Sequence, residues 1–424
     1  MQVDTVSLAT VPLFSGAIGY LTNWTGVWML FNPLRFRGVQ IPGVAPLVHL
    51  MPRKIQQIPG AMQGGVGWQG IIPSRAAKMG SIAVDKGIAK VGSPADFYRQ
   101  LDREKIAEHV VTRTRGDMRE LVERIMEREH PQLWRDLPPQ LREAVHERVQ
   151  QQLPEIVQHV TDEIGENVDQ LLDVKLMVIR QLQEHPELAN RVYQDVGRKE
   201  LRFIINFGFW FGLALGIPVA VLTVVLLPSF WWLLPICGVV VGYVTNLLAI
   251  KMIFEPVEPR KIGRFTIHGL FLRRQRQAAD IYARIIADDV ITMRNIGREL
   301  LEGPSGDRTR QMIEDSLRPT LDRALGRLRP ALRVAVGARE YDSIRESLAI
   351  EGAGYTATPL TDEELDRHQR ERLFELFSAR TRELPYSDFA EMLRSAMRED
   401  EWLLYLHGAV LGLGAGLLHL AIFG

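Results

Sequence analysis

The sequence predicts an all-α membrane protein, with four transmembrane helices in two tandem parallel repeats that each carry an α-helical cytoplasmic domain. The distribution of charge is the first observation behind this prediction. Residues 8–31, 203–250 and 403–424 contain no Lys, Arg, Asp or Glu, although the 424-residue chain has 51 basic and 51 acidic residues. A helix needs roughly 20 apolar residues to cross a bilayer, so these stretches are long enough for four spans.

The spans and their orientation follow from the same stretches. We place the spans at residues 8–31, 203–227, 231–254 and 403–423. Two long charged segments, 32–202 and 255–402, then share one side of the membrane. The span ends on that side are flanked by Arg35, Arg37, Arg198, Lys199, Arg202, Lys251, Arg260, Lys261 and Arg264. Because cytoplasmic loops are enriched in Lys and Arg, we expect a multi-pass protein of the cell membrane, with cytoplasmic domains and external termini.

The second observation is an internal duplication. Residues 19–33 read GYLTNWTGVWMLFNP, and residues 242–256 read GYVTNLLAIKMIFEP. Further matches follow in the same order: 70–75 with 269–274, Arg198 with Arg398, and the glycines of 208–216 with those of 408–416. Matched blocks in one order are typical of a duplicated unit, and the first copy then has an insertion between Pro33 and Gly70.

The repeats define the predicted domains. Repeat 1 covers residues 1–216, with its second span continuing to 227, and repeat 2 covers residues 231–424. Each copy contains an even number of spans, so both copies keep the same orientation. The symmetry axis should therefore run along the membrane normal, as in parallel-repeat transporters.

The third observation is helical periodicity in the charged segments. From Leu153 to Leu172 apolar residues recur at three- and four-residue spacing, which is typical of one face of an amphipathic helix. Pro154 suits the first turn of a helix, so we expect a helix over 155–182. Similar stripes in the second copy favour all-α cytoplasmic domains throughout.

The repeated block also resembles a known family. The pattern GYxTNxxxxxMxFxP, the basic turn behind it and the glycine-rich closing span are similar to those of the bacterial YheB/YjiN-like membrane proteins, catalogued as domain of unknown function 445. The matching positions are Gly19, Tyr20, Thr22, Asn23, Met29, Phe31 and Pro33 in copy one, and Gly242, Tyr243, Thr245, Asn246, Met252, Phe254 and Pro256 in copy two. Copy one departs from the pattern at residues 24–28. The resemblance implies a plasma-membrane protein with a helical cytoplasmic region, and it implies no particular reaction.

Two Thr-Asn pairs, Thr22–Asn23 and Thr245–Asn246, recur inside the predicted spans. A hydroxyl or amide without a partner is costly in lipid. One interpretation is structural: each Asn bonds a neighbouring helix and contributes ~1 kcal/mol. The other is a paired polar site near the symmetry axis that binds a lipid head group, an ion or a solute.

Glycines at four-residue spacing predict close helix packing within the membrane. They are Gly208, Gly212 and Gly216 in the first closing span and Gly408, Gly412 and Gly416 in the second, with Gly19 and Gly242 in the opening spans. Small residues at this spacing let two helix backbones approach closely. We expect them to pack against the Thr-Asn spans or between protomers.

A basic cluster follows the third span. It consists of Arg260, Lys261, Arg264, Arg273, Arg274 and Arg276. Each basic residue near an anionic leaflet adds about 1 kcal/mol of attraction. Contact with anionic phospholipid head groups is therefore our hypothesis for these side chains.

Composition and motifs exclude several classes of function. A net charge of zero gives no basic field for nucleic acid. The single cysteine, Cys237, cannot form an intrachain disulfide or a cysteine-based metal site. The sequence has no GxSxG, HExxH or Walker A motif. We therefore expect no catalytic residues, no metal and no cofactor.

Two functions are then favoured, and a membrane enzyme ranks third. The first is a noncatalytic, membrane-anchored scaffold whose helical domains contact a protein partner, or a second copy in a homo-oligomer, at the bilayer surface. The alternative is a carrier or conduit for a lipid or another amphipathic molecule. A scaffold should bury its apolar stripes, whereas a carrier should leave an apolar groove that runs to the membrane.

Overall fold

The computed structural model describes residues 5–40, 58, 65–325, 337–357 and 362–423. Within these ranges the chain is mainly α-helical, which confirms the all-α part of the prediction. Two short antiparallel hairpins interrupt the helices. Strands of three or four residues are too short to show an alternating pattern, so the sequence did not reveal them.

The first half of the chain contains α1 (Thr5–Phe31), β1 (Arg37–Gln40), β2 (Gly65–Trp68), α2 (Ile71–Ser74), α3 (Ala76–Ala83), α4 (Ala89–Val91), α5 (Pro94–Gln100), α6 (Arg103–Glu129), α7 (Pro131–Asp136), α8 (Pro139–Leu171), α9 (Val174–Glu184), α10 (Pro186–Val196) and α11 (Arg198–Ala220). A π-helical segment, Val84–Ile88, lies between α3 and α4, and another, Val221–Leu226, extends α11.

The second half contains α12 (Leu233–Phe254), β3 (Arg260–Ile262), β4 (Phe265–Ile267), α13 (Gln275–Ile285), α14 (Met293–Glu302), α15 (Gly306–Leu325), α16 (Ala338–Ala357), α17 (Glu363–Glu383), α18 (Tyr386–Arg398) and α19 (Glu401–Phe423). A 3₁₀ turn, Leu272–Arg274, precedes α13, and a π-helical segment, Ile286–Val290, follows it.

Three helical segments are long and apolar enough to cross a membrane. They are Arg198–Leu226, Leu233–Phe254 and Glu401–Phe423, and their bounds agree with three predicted spans to within a few residues. The helix α1 has 27 residues and no charged side chain, but its Ser, Thr, Asn and Gly residues make it less apolar. The chain is thus a helical membrane protein, and a fourth span at α1 stays a prediction.

These long helices form two antiparallel pairs. We name α1 with α11 the first span pair, and α12 with α19 the second span pair, after the candidate spans that they contain. The turn between α11 and α12 carries exposed aromatic side chains at Phe230, Trp231 and Trp232. Aromatic rings of this kind concentrate at membrane–water interfaces, so the turn has the composition of an interfacial segment.

A β-hairpin follows the opening helix of each span pair. Strands β1 and β2 pair in register from Arg37 opposite Trp68, and β3 and β4 pair from Arg260 opposite Ile267. The turn between β3 and β4 contains Gly263 at φ 59°. Glycine adopts this left-handed conformation without a steric penalty, so the sequence permits a tight turn here.

The other helices bury their apolar faces against one another. On α6 and α8 the buried side chains include Ile106, Val110, Leu121, Ile125, Leu153, Val157 and Val160. Local sequence also fixes where helices begin: Ser93 caps α5 in a capping box, and Asp102 caps α6. The expected helix over 155–182 is wrong at both ends, because α8 begins at Pro139, contains Pro154 in its interior and ends at Leu171, and α9 then begins at Val174. The buried face of α8 continues through Pro154, so tertiary packing offsets the lost backbone hydrogen bond.

The chain divides into two compact units. Unit 1 contains residues 1–90, 179–282 and 380–424, and unit 2 contains residues 91–178 and 283–379. Each unit takes segments from both predicted repeats. Compact units and repeats are therefore different divisions of the chain, and the repeat boundaries stay a prediction.

Candidate functional site

The two Thr-Asn pairs make corresponding contacts inside the span pairs. The Nδ2 atom of Asn23 donates to the carbonyl oxygen of Ile204 at 2.6 Å, and that of Asn246 donates to the carbonyl oxygen of Leu404 at 2.6 Å. Both Asn side chains are buried. Each bond joins the two helices of one span pair and satisfies an amide N–H that is costly to leave unpaired in lipid. Both contacts fit the structural interpretation of the pairs.

The predicted glycines lie at these same helix contacts. A methyl group on Gly19 would overlap the carbonyl oxygen of Gly208, and one on Gly242 would overlap the carbonyl oxygen of Gly408. Further along, Gly212 faces Ser15, Gly216 faces Pro12, Gly412 faces Gly238 and Gly416 faces Pro235. The glycine faces therefore meet partner helices of the same chain, where backbones approach too closely for any side chain.

Two buried ion pairs connect the span pairs at their charged end. Arg75, which follows the first hairpin, donates to Asp400 at 2.9 Å. Arg274, which follows the second hairpin, donates through Nη1 to both carboxylate oxygens of Glu200, at 2.8 and 2.9 Å. Glu200 lies in the first turn of α11, and Asp400 immediately precedes α19. Each basic residue therefore reaches the closing helix of the other span pair.

The turns that lead into these arginines are also alike. The backbone N–H of Gly70 donates to the carbonyl oxygen of Pro33 at 2.9 Å, and that of Gly269 donates to Pro256 at 3.0 Å. A side chain at either glycine would overlap the end of the preceding opening helix. Glycine at both positions permits the chain to fold back tightly before the arginine.

The predicted basic cluster separates into two environments. Arg260 and Lys261 in β3, Arg264 in the turn, Arg273 and Arg276 are all exposed. The side chain of Arg274 is instead 21% exposed and bound to Glu200. The guanidinium of Arg274 thus contacts a buried carboxylate of the protein itself, and contact of the cluster with lipid head groups stays a prediction.

A small cavity lies between the long helices of unit 1. It has a volume of about 50 Å³, and its polar lining residues are Ser15, Thr22 and Asn23 from α1, Thr245 from α12 and His419 from α19. The other lining residues are apolar or glycine. Asn246 is not among the lining residues, so the structure brings three of the four predicted Thr and Asn side chains to this cavity.

Two histidines of α19 contact threonines of α1. His407 Nε2 lies 2.9 Å from Thr25 Oγ1, and His419 Nε2 lies 3.3 Å from Thr10 Oγ1. Both contacts join the first span pair to the second. They support a packing role for these histidines, since the Nε2 atom of each ring has a threonine hydroxyl within reach.

Among the described residues, no group of three or more His, Cys, Asp or Glu side chains is arranged to bind a metal. Cys237 is a free, half-buried thiol in α12. Glu200 and Asp400, two buried carboxylates at the membrane end, are each paired with an arginine. The site is therefore built from neutral polar groups within the spans and from paired charges at their ends.

Comparison with known proteins finds relatives that match a limited segment of the chain. The chain is 37% identical over 75 residues to the UPF0754 membrane protein of Halalkalibacterium halodurans, covering 17% of this chain and 20% of that protein. It is 34% identical over 85 residues to the UPF0754 membrane protein of Staphylococcus epidermidis, covering 19% and 23%. It is 39% identical over 82 residues to the UPF0754 membrane protein of Thermosynechococcus vestitus, covering 18% and 20%.

The matches thus span about a fifth of the length of these curated relatives. Their names agree with the membrane character of this chain, and they support a relationship to the UPF0754 proteins over the matched segment. No protein-family model matches the chain. No solved structure matches it either.

Sequence reasoning did not single out Arg75, Glu200 and Asp400 as functional positions. A signal was nevertheless present, because Arg75 and Arg274 end the same matched block. Glu200 and Asp400 are both acidic and lie two residues after the matched Arg198 and Arg398. An acidic residue at equivalent positions beside a span is unusual enough to predict a buried partner.

Proposed function

We propose that the chain consists of two copies of one membrane unit in tandem, with α1, α11, α12 and α19 as four spans. The corresponding contacts of Asn23 and Asn246, and the two ion pairs that cross between the span pairs, support this arrangement. The basic residues beside the spans favour cytoplasmic charged segments and external termini in the cell membrane.

We propose that this protein is a noncatalytic membrane-anchored scaffold. The observation that carries the proposal is the small size of two apolar cavities. One, beside α10 and α19, has a volume of about 70 Å³, and the other, between α6, α8 and α14, has a volume of about 40 Å³. Pockets that bind drug-sized molecules have volumes of roughly 300–1,000 Å³, so neither cavity accommodates a lipid.

A larger cleft lies on the surface of unit 2. Its volume is about 690 Å³, and it is open to solvent between α6 and the first turns of α17. Charged side chains such as Lys105, Glu108 and Arg113 line it. An acyl chain would gain little by leaving the bilayer for such a surface, whereas a polar protein surface fits it. A protein partner or a second copy is therefore the occupant that the scaffold proposal implies.

Native mass spectrometry distinguishes a scaffold from a carrier. The full chain is extracted into mild detergent, and its mass is measured before and after extraction of lipid. We expect a defined oligomer or a complex with another protein, with only bulk lipid attached. A single lipid or amphipathic molecule bound in fixed stoichiometry to a monomer would instead establish the carrier.

The exposed basic residues beside β3 add a prediction about lipid class. We propose that Arg260 and Lys261 contact anionic head groups, since each contributes about 1 kcal/mol near such a surface. The double variant Arg260→Glu with Lys261→Glu should retain several-fold less phosphatidylglycerol than the parent in mixed micelles with phosphatidylcholine. The matched control is Lys105→Glu with Arg115→Glu, which reverses two exposed charges on α6. If both double variants retained the same amount of phosphatidylglycerol, the proposed contact of Arg260 and Lys261 with anionic head groups would be wrong.

A further inference from the structure

The amide of Asn23 is held in one orientation inside the membrane cavity. Its Nδ2 atom is committed to the carbonyl oxygen of Ile204 at 2.6 Å. Its Oδ1 atom is buried and has no hydrogen-bond partner among the described residues. The side chain is only 2% exposed. A buried carbonyl oxygen without a donor costs roughly 1–3 kcal/mol, so this atom is placed to accept from something inside the cavity.

The neighbouring hydroxyls also present oxygen lone pairs. Thr245 Oγ1 donates its proton to the carbonyl oxygen of Val241 at 2.7 Å, so what it offers the cavity is an acceptor. Thr22, at the corresponding position of the other repeated block, also lines the cavity. Two threonines and one asparagine, from α1 and α12, therefore line a single small space.

The charge of the lining selects the class of ligand. No carboxylate lines the cavity among the described residues, whereas Mg²⁺ and Ca²⁺ sites are built around carboxylates. An anion would face the partial negative charge of Asn23 Oδ1, an acceptor without a donor, and the lone pairs of Thr245, whose proton is committed to Val241. Neutral oxygen atoms in a membrane bind monovalent cations, as carbonyl rings do in potassium-selective filters.

The volume of the cavity agrees with a small ion. A space of about 50 Å³ holds an alkali cation with a few water molecules, since one water needs roughly 10–15 Å³ measured in this way. It is too small for an organic solute or a lipid head group. Among the ligands that the paired-site interpretation left open, an ion is the one that fits.

We propose that this cavity binds one monovalent alkali cation, held by Oδ1 of Asn23 with the hydroxyl oxygens of Thr22 and Thr245. Such a site lies between the two span pairs and includes a residue from each repeated block. Its existence does not depend on the scaffold proposal, because it concerns the spans and not the charged domains.

Direct binding to the purified full chain tests the site. Protein in detergent and choline buffer is incubated with radioactive sodium or rubidium, the latter as a substitute for potassium, and bound ion is read by scintillation proximity. We expect a saturable signal with at least one of the two ions. Unlabelled NaCl or KCl should displace it, and choline chloride should not.

Substitution at Thr245 locates the ion. Thr245→Val keeps the volume and removes the oxygen, so the half-saturating concentration should rise about tenfold, a change equivalent to 1.4 kcal/mol. Thr245→Ser restores the oxygen and should restore binding. The matched control is Thr223→Val, because Thr223 makes the same bond to a carbonyl four residues earlier, at 2.8 Å, but does not line the cavity.

Two results would overturn the proposal. One is the absence of displaceable binding of either ion to a parent protein whose thermal unfolding shows that it is folded, in which case the cavity holds only water. The other is equal weakening by Thr245→Val and Thr223→Val, which would place any bound ion elsewhere. The Thr245 variants are preferred to Asn23→Leu, because loss of the bond to Ile204 also separates α1 from α11.

Discussion

Replacing Gly242 with Ala is expected to destabilise the second span pair by about 3 kcal/mol, near the upper end of what overpacking usually costs. The added methyl group would overlap the carbonyl oxygen of Gly408 in α19. A backbone atom cannot rotate away as a side chain can, so the two helices must move apart. That movement would also stretch the bond from Asn246 to the carbonyl oxygen of Leu404.

The measurement is reversible unfolding in bicelles, followed by tryptophan fluorescence. The matched control is Gly414→Ala, because Gly414 also lies in α19 and a methyl group there meets no atom within 4 Å. Alanine is a better helix former than glycine, so the control should be neutral or slightly stabilising. If the free energy of unfolding of Gly242→Ala equalled that of Gly414→Ala, close backbone contact between α12 and α19 would be disproved.

The corresponding substitution in the first span pair is Gly19→Ala. Its methyl group would overlap the carbonyl oxygen of Gly208, so the cost should be similar to that of Gly242→Ala. A similar cost would support the tandem arrangement, since two unrelated helix pairs have no reason to respond alike. A large difference would favour span pairs that evolved separately.

Much of the membrane part could be predicted because its cause is local. A charge-free stretch that is long enough to cross a bilayer depends on composition alone. Glycines at four-residue spacing likewise indicate a close helix contact before the partner helix is known. The structure adds the partner, which for Gly408 is Gly242 and for Gly208 is Gly19.

Features that depend on distant segments could not be predicted in the same way. The pairing of Arg274 with Glu200 requires that segments far apart in sequence meet at the membrane surface. In the sequence, Arg274 is one of several basic residues near a span, and the enrichment of Lys and Arg in cytoplasmic loops is enough to account for all of them. Pro154 illustrates the same limit, because packing of α8 outweighs a local signal for a helix start at this residue.

The two compact units show the same limit on a larger scale. Unit 2 joins residues 91–178 to residues 283–379, although each segment has its own apolar stripe. A stripe predicts that a helix face is buried, but it does not name the face that covers it. Sequence periodicity does not predict that segments from both halves of the chain share the core of unit 2. It does not predict the cavity beside Asn23 either.

The second large effect concerns the ion pair between Arg75 and Asp400. Their side chains are 9% and 2% exposed, so Arg75→Ala leaves a carboxylate in a buried position without its guanidinium. Breaking a buried pair in this way costs about 3–5 kcal/mol. The matched control is Lys78→Ala, because Lys78 pairs with the neighbouring Glu399 at the surface, and a surface pair contributes about 0–1 kcal/mol.

The cost of Arg75→Ala should also depend on pH. Burial raises the pKa of Asp400, and Arg75 opposes that rise, so its removal leaves burial alone to act. A carboxyl group whose pKa is higher in the folded state binds a proton more readily there than in the unfolded state. Its contribution to stability is therefore present at low pH and is lost as pH rises through the folded pKa. We expect Arg75→Ala to be less destabilising at pH 5 than at pH 8, relative to Lys78→Ala.

Exchange of the two charges separates the pair from its surroundings. The double variant Arg75→Asp with Asp400→Arg recreates opposite charges across the same contact, so it should recover part of the stability lost by either single variant. The coupling energy of such a cycle belongs to the contact itself. Additive costs would mean that Arg75 and Asp400 act independently, and Arg274 with Glu200 would then be the remaining one of the two ion pairs described between the span pairs. A measured coupling would instead show that the charged end of α19 is held by Arg75, which follows the opening helix of the opposite span pair.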